Sequence, residues 1–188
     1  RMEVKDALGY LRLVANREDD TAFERVVNTP TRGIGNTTLD KLRELSKATG
    51  ASLWTTAKLQ AGQLGRSAGN LVQFQDLIEK MAAETANLPL SQATDIVIAR
   101  SGLREHYQKE KGEQAEARLE NLDELVNAAR GFEQPEEEGV APLDAFLTHA
   151  ALEAGERQAG AGEDAVQLMT LHSAKGLEFP IVFLVGME

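Results

Sequence analysis

The sequence predicts a mainly α-helical protein that ends in a short β segment. Apolar residues recur every three to four positions over about the first 160 residues, which is the period of an amphipathic helix. Strict alternation begins only at Val166, Leu168 and Thr170. A continuous apolar, β-branched run, "PIVFLVG", follows at 180–186, and both segments are typical of strands, the second one buried on both faces. Because two strands cannot bury both their faces alone, we expect them to belong to a sheet completed elsewhere.

The first 60 residues predict four helices with recognisable ends. The first covers roughly residues 3–16. A Thr-x-x-Glu pattern predicts that Thr21 starts the second helix, and a Thr-x-x-Asp pattern predicts that Thr37 starts the third. Gly50 is the expected C-terminal stop of the third helix, and Ser52 is the expected cap of the fourth.

The middle of the chain carries the clearest helical pattern. One apolar stripe runs along the helix predicted at 66–88, and its members are Leu71, Phe74, Ile78, Met81 and Thr85. Pro89 ends this helix, and Ser91 is expected to start the next. A short helix at 103–107, a long one that ends at Gly131, and a last one at 143–150 follow. The stretch 133–142 is expected to be an exposed acidic loop, either a protein contact or a solubilising segment.

Composition excludes several classes of protein. The chain has no cysteine, which excludes disulfides and thiolate metal sites, and its three histidines have no metal-ligand spacing, so no metal site is expected. No apolar run approaches the ~20 residues of a membrane span, so we expect a cytoplasmic protein with no membrane partner. The net charge of −10 argues against a general nucleic-acid coat. Residues 1–66 nevertheless hold 11 Lys/Arg against 8 Asp/Glu, whereas residues 67–188 hold 9 against 22, so only the first third favours a polyanion.

The stretch "NTPTRGIGNTTL", residues 28–39, has the layout of a helix-hairpin-helix element. Ile34 is expected to enter the core, while the main-chain amides around Gly35 face outward at a helix N-terminus, which favours anions. A DNA phosphate bound there would be contacted without any base being read. The donors and flexible positions would be Arg32, Gly33, Gly35, Asn36, Thr37 and Thr38. The alternative is a tight helix–helix turn that binds no ligand.

A second candidate site lies in the loop between the two predicted strands. Lys175 beside Gly176 can reach a phosphate, and Glu178 can accept a hydrogen bond from a ribose hydroxyl. No Gly-Lys pair occurs in the sequence, so this loop is not a Walker A motif.

Three segments together resemble UvrD/PcrA/Rep-type superfamily 1 DNA helicases. "TLHSAKGLEFPIVFLVGME" resembles their motif V, "EVKDALGYLRL" (3–13) resembles the helix that follows motif IV, and "VVNTPTRGIGNTTL" resembles their Gly-Ile-Gly DNA-contact segment. The segments occur in the order of the family and at about its spacing, so the resemblance covers essentially the whole chain.

The resemblance implies a fragment of a larger motor. Residues 1–162 would form the helical 2B insertion, with 1–16 as the linking helix from domain 2A, and residues 163–188 would be returning strands of RecA-like domain 2A. The parent enzyme would be an ATP-driven 3′→5′ helicase of DNA repair and replication restart that uses ATP and Mg²⁺. Because Walker A, Walker B and the later arginine motif are absent, we expect no ATP hydrolysis and no bound cofactor in this chain alone.

The resemblance also implies roles for individual residues. Gly33, Ile34 and Gly35, with Thr37 or Thr38, would hold the duplex backbone. Lys5 and Arg12 match basic positions of the family on the first helix, although a solvated ion-pair face explains them equally well. In motif V, Thr170 and His172 would face single-stranded DNA, and Lys175, Gly176 and Glu178 would face the nucleotide.

Two functions therefore remain open from the sequence. The first is a duplex-binding and regulatory module of a helicase. The second is a helical interaction domain that regulates the helicase by self-association, or by docking repair or transcription proteins, without binding DNA itself. The acidic character of residues 67–188 favours the second function.

Overall fold

Helices form all the regular structure in the part of the chain that the structure describes. This computed structural model describes residues 1–110, 112–133, 139–155, 169, 174 and 178–185. Two 3₁₀ turns, Ala61–Gln63 and Gly65–Ser67, lie between the fourth and fifth helices. The α-helices, in order, are α1 Met2–Ala15, α2 Asp20–Val26, α3 Asn36–Thr49, α4 Leu53–Leu59, α5 Ala68–Thr85, α6 Leu90–Arg100, α7 Leu103–Gln108, α8 Glu113–Gly131 and α9 Pro142–Gly155.

Helix α1 packs against several neighbours at once. It contacts α2, α5, α6 and α8. Most of its length is therefore buried, and Ala7, Tyr10, Leu11 and Leu13 are completely inaccessible to solvent. A helix surrounded in this way buries residues on more than one face. The predicted first helix is thus confirmed.

The predicted stripe on α5 is the second major part of the core. All five stripe residues are buried, as their three- to four-residue spacing predicts. Phe74 of this stripe meets Phe23 of α2 edge to face, with ring centroids 5.7 Å apart, and Phe23 meets Trp54 of α4 in the same way at 6.4 Å. Such edge-to-face pairs are favourable beyond the area they bury. The aromatic rings therefore join α2 and α4 to α5.

A buried carboxylate ties α1 to two other helices. One oxygen of Asp6 pairs with the guanidinium of Arg25 on α2 at 2.8 Å, and the other accepts a hydrogen bond from the Tyr107 hydroxyl on α7 at 2.6 Å. Buried charge is tolerated when it is paired in this way. Burial raises the pKa of Tyr107 well above its ordinary value, and the hydrogen bond to Asp6 raises it further.

The helix ends test the predicted capping residues. Gly50 ends α3 in the left-handed conformation, with φ of 68°, and the Ser52 side chain accepts from the Thr55 amide, so both predictions are confirmed. The prediction for Thr21 is wrong, because α2 starts earlier and Asp19 accepts from the Ala22 amide.

Two further predicted starts also differ. Helix α6 follows Pro89, without a side-chain cap, and therefore begins one residue before Ser91. Helix α3 begins at Asn36 rather than Thr37; its N-cap is Gly35, and no side chain caps it. The start of α3 therefore has the exposed main chain that the sequence predicted, but without the threonine cap.

The chain divides into two compact units, Arg1–Ala151 and Leu152–Glu188. The predicted boundary between residues 162 and 163 falls outside the described residues and stays a prediction, as does the first predicted strand at 166–170. Among the described helices, none combines the length and apolar character that crossing a membrane requires.

The second predicted strand is not formed in the described residues. Residues 178–185 have no regular secondary structure, and the apolar side chains of 181–185 are exposed: Phe183 is 87% and Val185 is 91% accessible. A strand needs a hydrogen-bonded neighbour, and this segment has none among the described residues. The prediction that this run is a strand buried on both faces is therefore wrong for residues 180–185 of this chain.

Candidate nucleic-acid interface

The loop between α2 and α3 is organised by one asparagine. The Oδ1 atom of Asn28 accepts hydrogen bonds from the amides of Arg32, at 2.7 Å, and Ile34, at 3.2 Å. The hydroxyl of Tyr10 on α1 donates to the Thr29 carbonyl at 2.5 Å. The Thr29–Pro30 peptide bond is cis. Asn28 was not identified as a site residue from sequence, although asparagine before a proline-containing turn is a signal of this kind of side-chain-to-backbone bonding.

The guanidinium of Arg32 faces the inside of the loop. It donates to the carbonyls of Val26 (3.2 Å), Pro30 (3.0 Å) and Ser101 (2.9 Å). It also lies over two aromatic rings, 5.7 Å from the centroid of Tyr10 and 5.4 Å from that of Phe74. Since its planar fork is occupied by main-chain carbonyls, Arg32 stabilises the loop rather than adding exposed charge to it.

The two residues at the centre of the predicted element fit the main chain closely. Ile34 is 1% exposed and belongs to the core, as predicted. Gly33 has φ of +71°, a conformation that side-chain-bearing residues rarely adopt. A Cβ atom there would also lie 2.9 Å from Nδ2 of Asn70. The loop therefore requires glycine at position 33.

Three main-chain amides at the start of α3 have no acceptor among the described residues. The amides of Thr38 and Leu39 donate to the Gly35 carbonyl at 3.1 and 3.2 Å. Those of Gly35, Asn36 and Thr37 make no hydrogen bond within the described part of the chain, and all three residues are exposed. No acidic residue lies in the first turn of α3. Free amides and the positive end of a helix dipole therefore coincide at an accessible surface, which is a favourable place for a phosphate.

Gly35 itself is not required by the fold. Its φ of −86° and ψ of 173° are extended backbone that any residue adopts, and a Cβ atom there would have no neighbour within 4 Å. Asn, Asp, Ser and Thr are the usual choices at an N-cap. Glycine leaves the three amides uncovered, whereas any of those side chains would place an oxygen over them.

The two predicted basic contacts on α1 have different surroundings. Arg12 forms an ion pair with Asp19 at 2.8 Å. This contact agrees with the alternative in which Arg12 belongs to an ion-pair face rather than to a DNA contact. Asp19 precedes the first residue of α2, whereas the loop follows the last. Lys5 is exposed and has no ion pair within the described residues.

The predicted motif V contacts are only partly visible. Thr170, His172, Lys175 and Gly176 lie outside the described residues and stay predictions. Glu178 is described, and its side chain is exposed. No group of three or more His, Asp or Glu side chains suited to a metal ion occurs among the residues that the structure describes.

Comparison with known proteins gives a family match over the whole chain. The model of the UvrD-like helicase C-terminal domain matches residues 1–188. The chain is 60% identical over 192 residues to DNA helicase II of Escherichia coli (strain K12), and 40% identical over 197 residues to ATP-dependent DNA helicase PcrA of Bacillus subtilis (strain 168). Both alignments cover all of this chain but only 27% and 26% of those relatives, so the chain spans about a quarter of their length.

Proposed function

Since the chain belongs to the UvrD-like helicase C-terminal domain family, we propose that it is the duplex-binding 2B part of an ATP-dependent 3′→5′ DNA helicase. In this proposal it contacts the sugar–phosphate backbone through the first turn of α3 and reads no base. The names of its relatives, DNA helicase II and ATP-dependent DNA helicase PcrA, support DNA as the ligand.

The observation that carries the proposal is the set of three uncovered amides of Gly35, Asn36 and Thr37. A DNA phosphate offers charged oxygen acceptors, and hydrogen bonds from main-chain amides at a helix N-terminus fix its position without selecting sequence. The buried Ile34, and the inward-facing Arg32, hold this turn rigidly against the core, so its donors are already arranged before DNA arrives.

The rest of the reaction is assigned to the parent enzyme. ATP and Mg²⁺ would bind there, with Lys175, Gly176 and Glu178 facing the nucleotide and with Thr170 and His172 facing single-stranded DNA. The chain studied alone is expected to hydrolyse no ATP, because it contains no Gly-Lys pair from which a Walker A loop could be built.

Substitution of Gly35 separates DNA binding from folding. Gly35→Asp places a carboxylate at the N-cap, where it bonds the free amides, stabilises α3 and repels a phosphate. We expect duplex affinity, measured by fluorescence anisotropy at low salt, to fall roughly tenfold or more. We also expect the thermal midpoint, followed by circular dichroism, to be unchanged or higher.

Gly35→Asn is the matched control, because it caps the helix with a side chain of nearly the same size but no charge. Its affinity is expected to lie between those of wild type and Gly35→Asp. Equal duplex affinity for wild type and Gly35→Asp would contradict the proposal. That result would favour the second candidate function, an interaction domain that regulates the helicase by protein docking or self-association without binding DNA itself, which the net charge of −13 over residues 67–188 supports.

A further inference from the structure

A second segment, remote in sequence, touches the proposed phosphate-binding turn. The Ser67 hydroxyl accepts a hydrogen bond from the Thr38 hydroxyl at 3.1 Å and donates to the Gly33 carbonyl at 3.4 Å. Asn70 lies against Gly33, as the 2.9 Å approach of its Nδ2 atom to a Cβ built there indicates. The last 3₁₀ turn and the first turn of α5 therefore lie directly beside the start of α3.

Arg66 occupies this adjoining segment, immediately before Ser67, and its side chain is exposed. It makes no ion pair and no hydrogen bond with any described residue. Every other arginine in the described ranges has a partner. For eight of them the partner is a carboxylate, Arg32 donates to carbonyls and Arg130 donates to Asn127.

This lack of a partner is informative in a protein with ten more acidic than basic side chains. Most of the described guanidinium groups are neutralised by nearby carboxylates, whereas that of Arg66, next in the chain to Ser67, is left available. A guanidinium binds two phosphate oxygens with parallel hydrogen bonds, in addition to its charge.

We propose that Arg66 is a second contact to the DNA backbone, so that the start of α3 and the segment before α5 bind the same duplex together. The inference rests on the proposed function and extends its contact set to a residue about 30 positions away in the sequence. The Thr38–Ser67 hydrogen bond holds the two segments in a fixed relation. The expected ligand is the phosphodiester backbone of a duplex, recognised without regard to sequence.

The test compares two substitutions that each remove one positive charge. Arg66→Gln removes the proposed contact. Lys80→Gln removes an exposed lysine that has no ion pair among the described residues and lies about three turns after the start of α5. Duplex affinity is measured over a series of salt concentrations for wild type and both variants. Each phosphate contact contributes about 0.9 to the slope of log K against log salt concentration. We expect Arg66→Gln to lower the magnitude of the slope by about 0.9, and Lys80→Gln to leave it unchanged.

The outcomes separate this inference from the proposed function. A slope that stays at the wild-type value in Arg66→Gln, or that falls equally in both variants, overturns the role of Arg66. If Gly35→Asp still weakens binding in the same experiment, the proposed function stands while the Arg66 contact fails. If wild type shows no duplex binding at low salt, or if Gly35→Asp also has no effect, the proposed function fails with it.

Discussion

At the scale of single residues, the side chain of Arg32 shows how the candidate interface is held in place. Its guanidinium donates to three main-chain carbonyls and lies over the rings of Tyr10 and Phe74. Asn28 complements it by accepting hydrogen bonds from two amides of the loop. These two side chains together pair two amides of the loop and three carbonyls in or beside it, whereas the amides at the start of α3 stay uncovered.

We expect Arg32→Lys to destabilise the protein while leaving its net charge unchanged. A lysine ammonium cannot reproduce the planar fork that reaches several carbonyls, so buried acceptors lose their partners, at a cost of about 1–3 kcal/mol. Urea denaturation followed by circular dichroism measures this loss. A lysine variant as stable as wild type would contradict the structural role, whereas Arg32→Gln should leave the salt slope of duplex binding unaffected in material that is still folded.

The role of Arg32 does not follow from the sequence, because its partners are distant along the chain. Ser101 lies 69 residues away, and nothing in the spacing around Arg32 points to it. Gly50 and Ser52, by contrast, act on groups within a few residues, so their roles follow from local chemistry. The prediction that Thr21 starts α2 is wrong because Asp19, two residues earlier, offers an equally good capping oxygen.

At the scale of helices, the spacing of apolar residues predicts which face of a helix is buried. The stripe on α5 was predicted residue by residue because periodic apolar positions record which face is buried. The spacing does not reveal which helices meet: the Asp6 contacts that join α1, α2 and α7 depend on side chains up to 101 residues apart. Residues 180–185 do not form a strand, because a strand needs a hydrogen-bonded neighbouring strand. The apolar composition of the run does not supply one.

The two buried tyrosines, Tyr10 of α1 and Tyr107 of α7, predict a loss of stability at alkaline pH. Burial raises the pKa of both Tyr10 and Tyr107 above the ordinary value of 10.0. Below pH 10 both states hold these protons, so the stability is fully present. Above pH 10 the unfolded chain releases them while the folded chain keeps them, so the free energy of unfolding falls as pH rises. Each tyrosine contributes a slope of about 1.4 kcal/mol per pH unit.

Urea denaturation of wild type and Tyr107→Phe between pH 8 and pH 11 measures this slope. We expect a constant difference in the free energy of unfolding below pH 9, and a wild-type curve that falls more steeply than the variant's above pH 10. Parallel curves over the whole range would mean that Tyr107 ionises equally readily in both states.

At the scale of the whole molecule, the proposed DNA binding depends on the part of an acidic chain that carries a net positive charge. Residues 1–66 carry a net charge of +3 and residues 67–188 carry −13. The uncovered amides and Arg66 both belong to the first of these regions. Repulsion from the acidic remainder would limit nonspecific binding elsewhere, so a duplex is expected to bind at the start of α3 with modest affinity and strong dependence on salt.

Amide chemical shifts measured by ¹H–¹⁵N NMR during titration with a short duplex show directly whether DNA binds at the start of α3. The amides of Gly35, Asn36 and Thr37 are expected to move downfield, and farther than any others, as they donate to a phosphate. The Leu39 amide, which already donates to the Gly35 carbonyl, is the internal reference and should move little. Unmoved signals for the three free amides at saturating duplex, or largest shifts among the helices after residue 90, would contradict DNA binding at the start of α3.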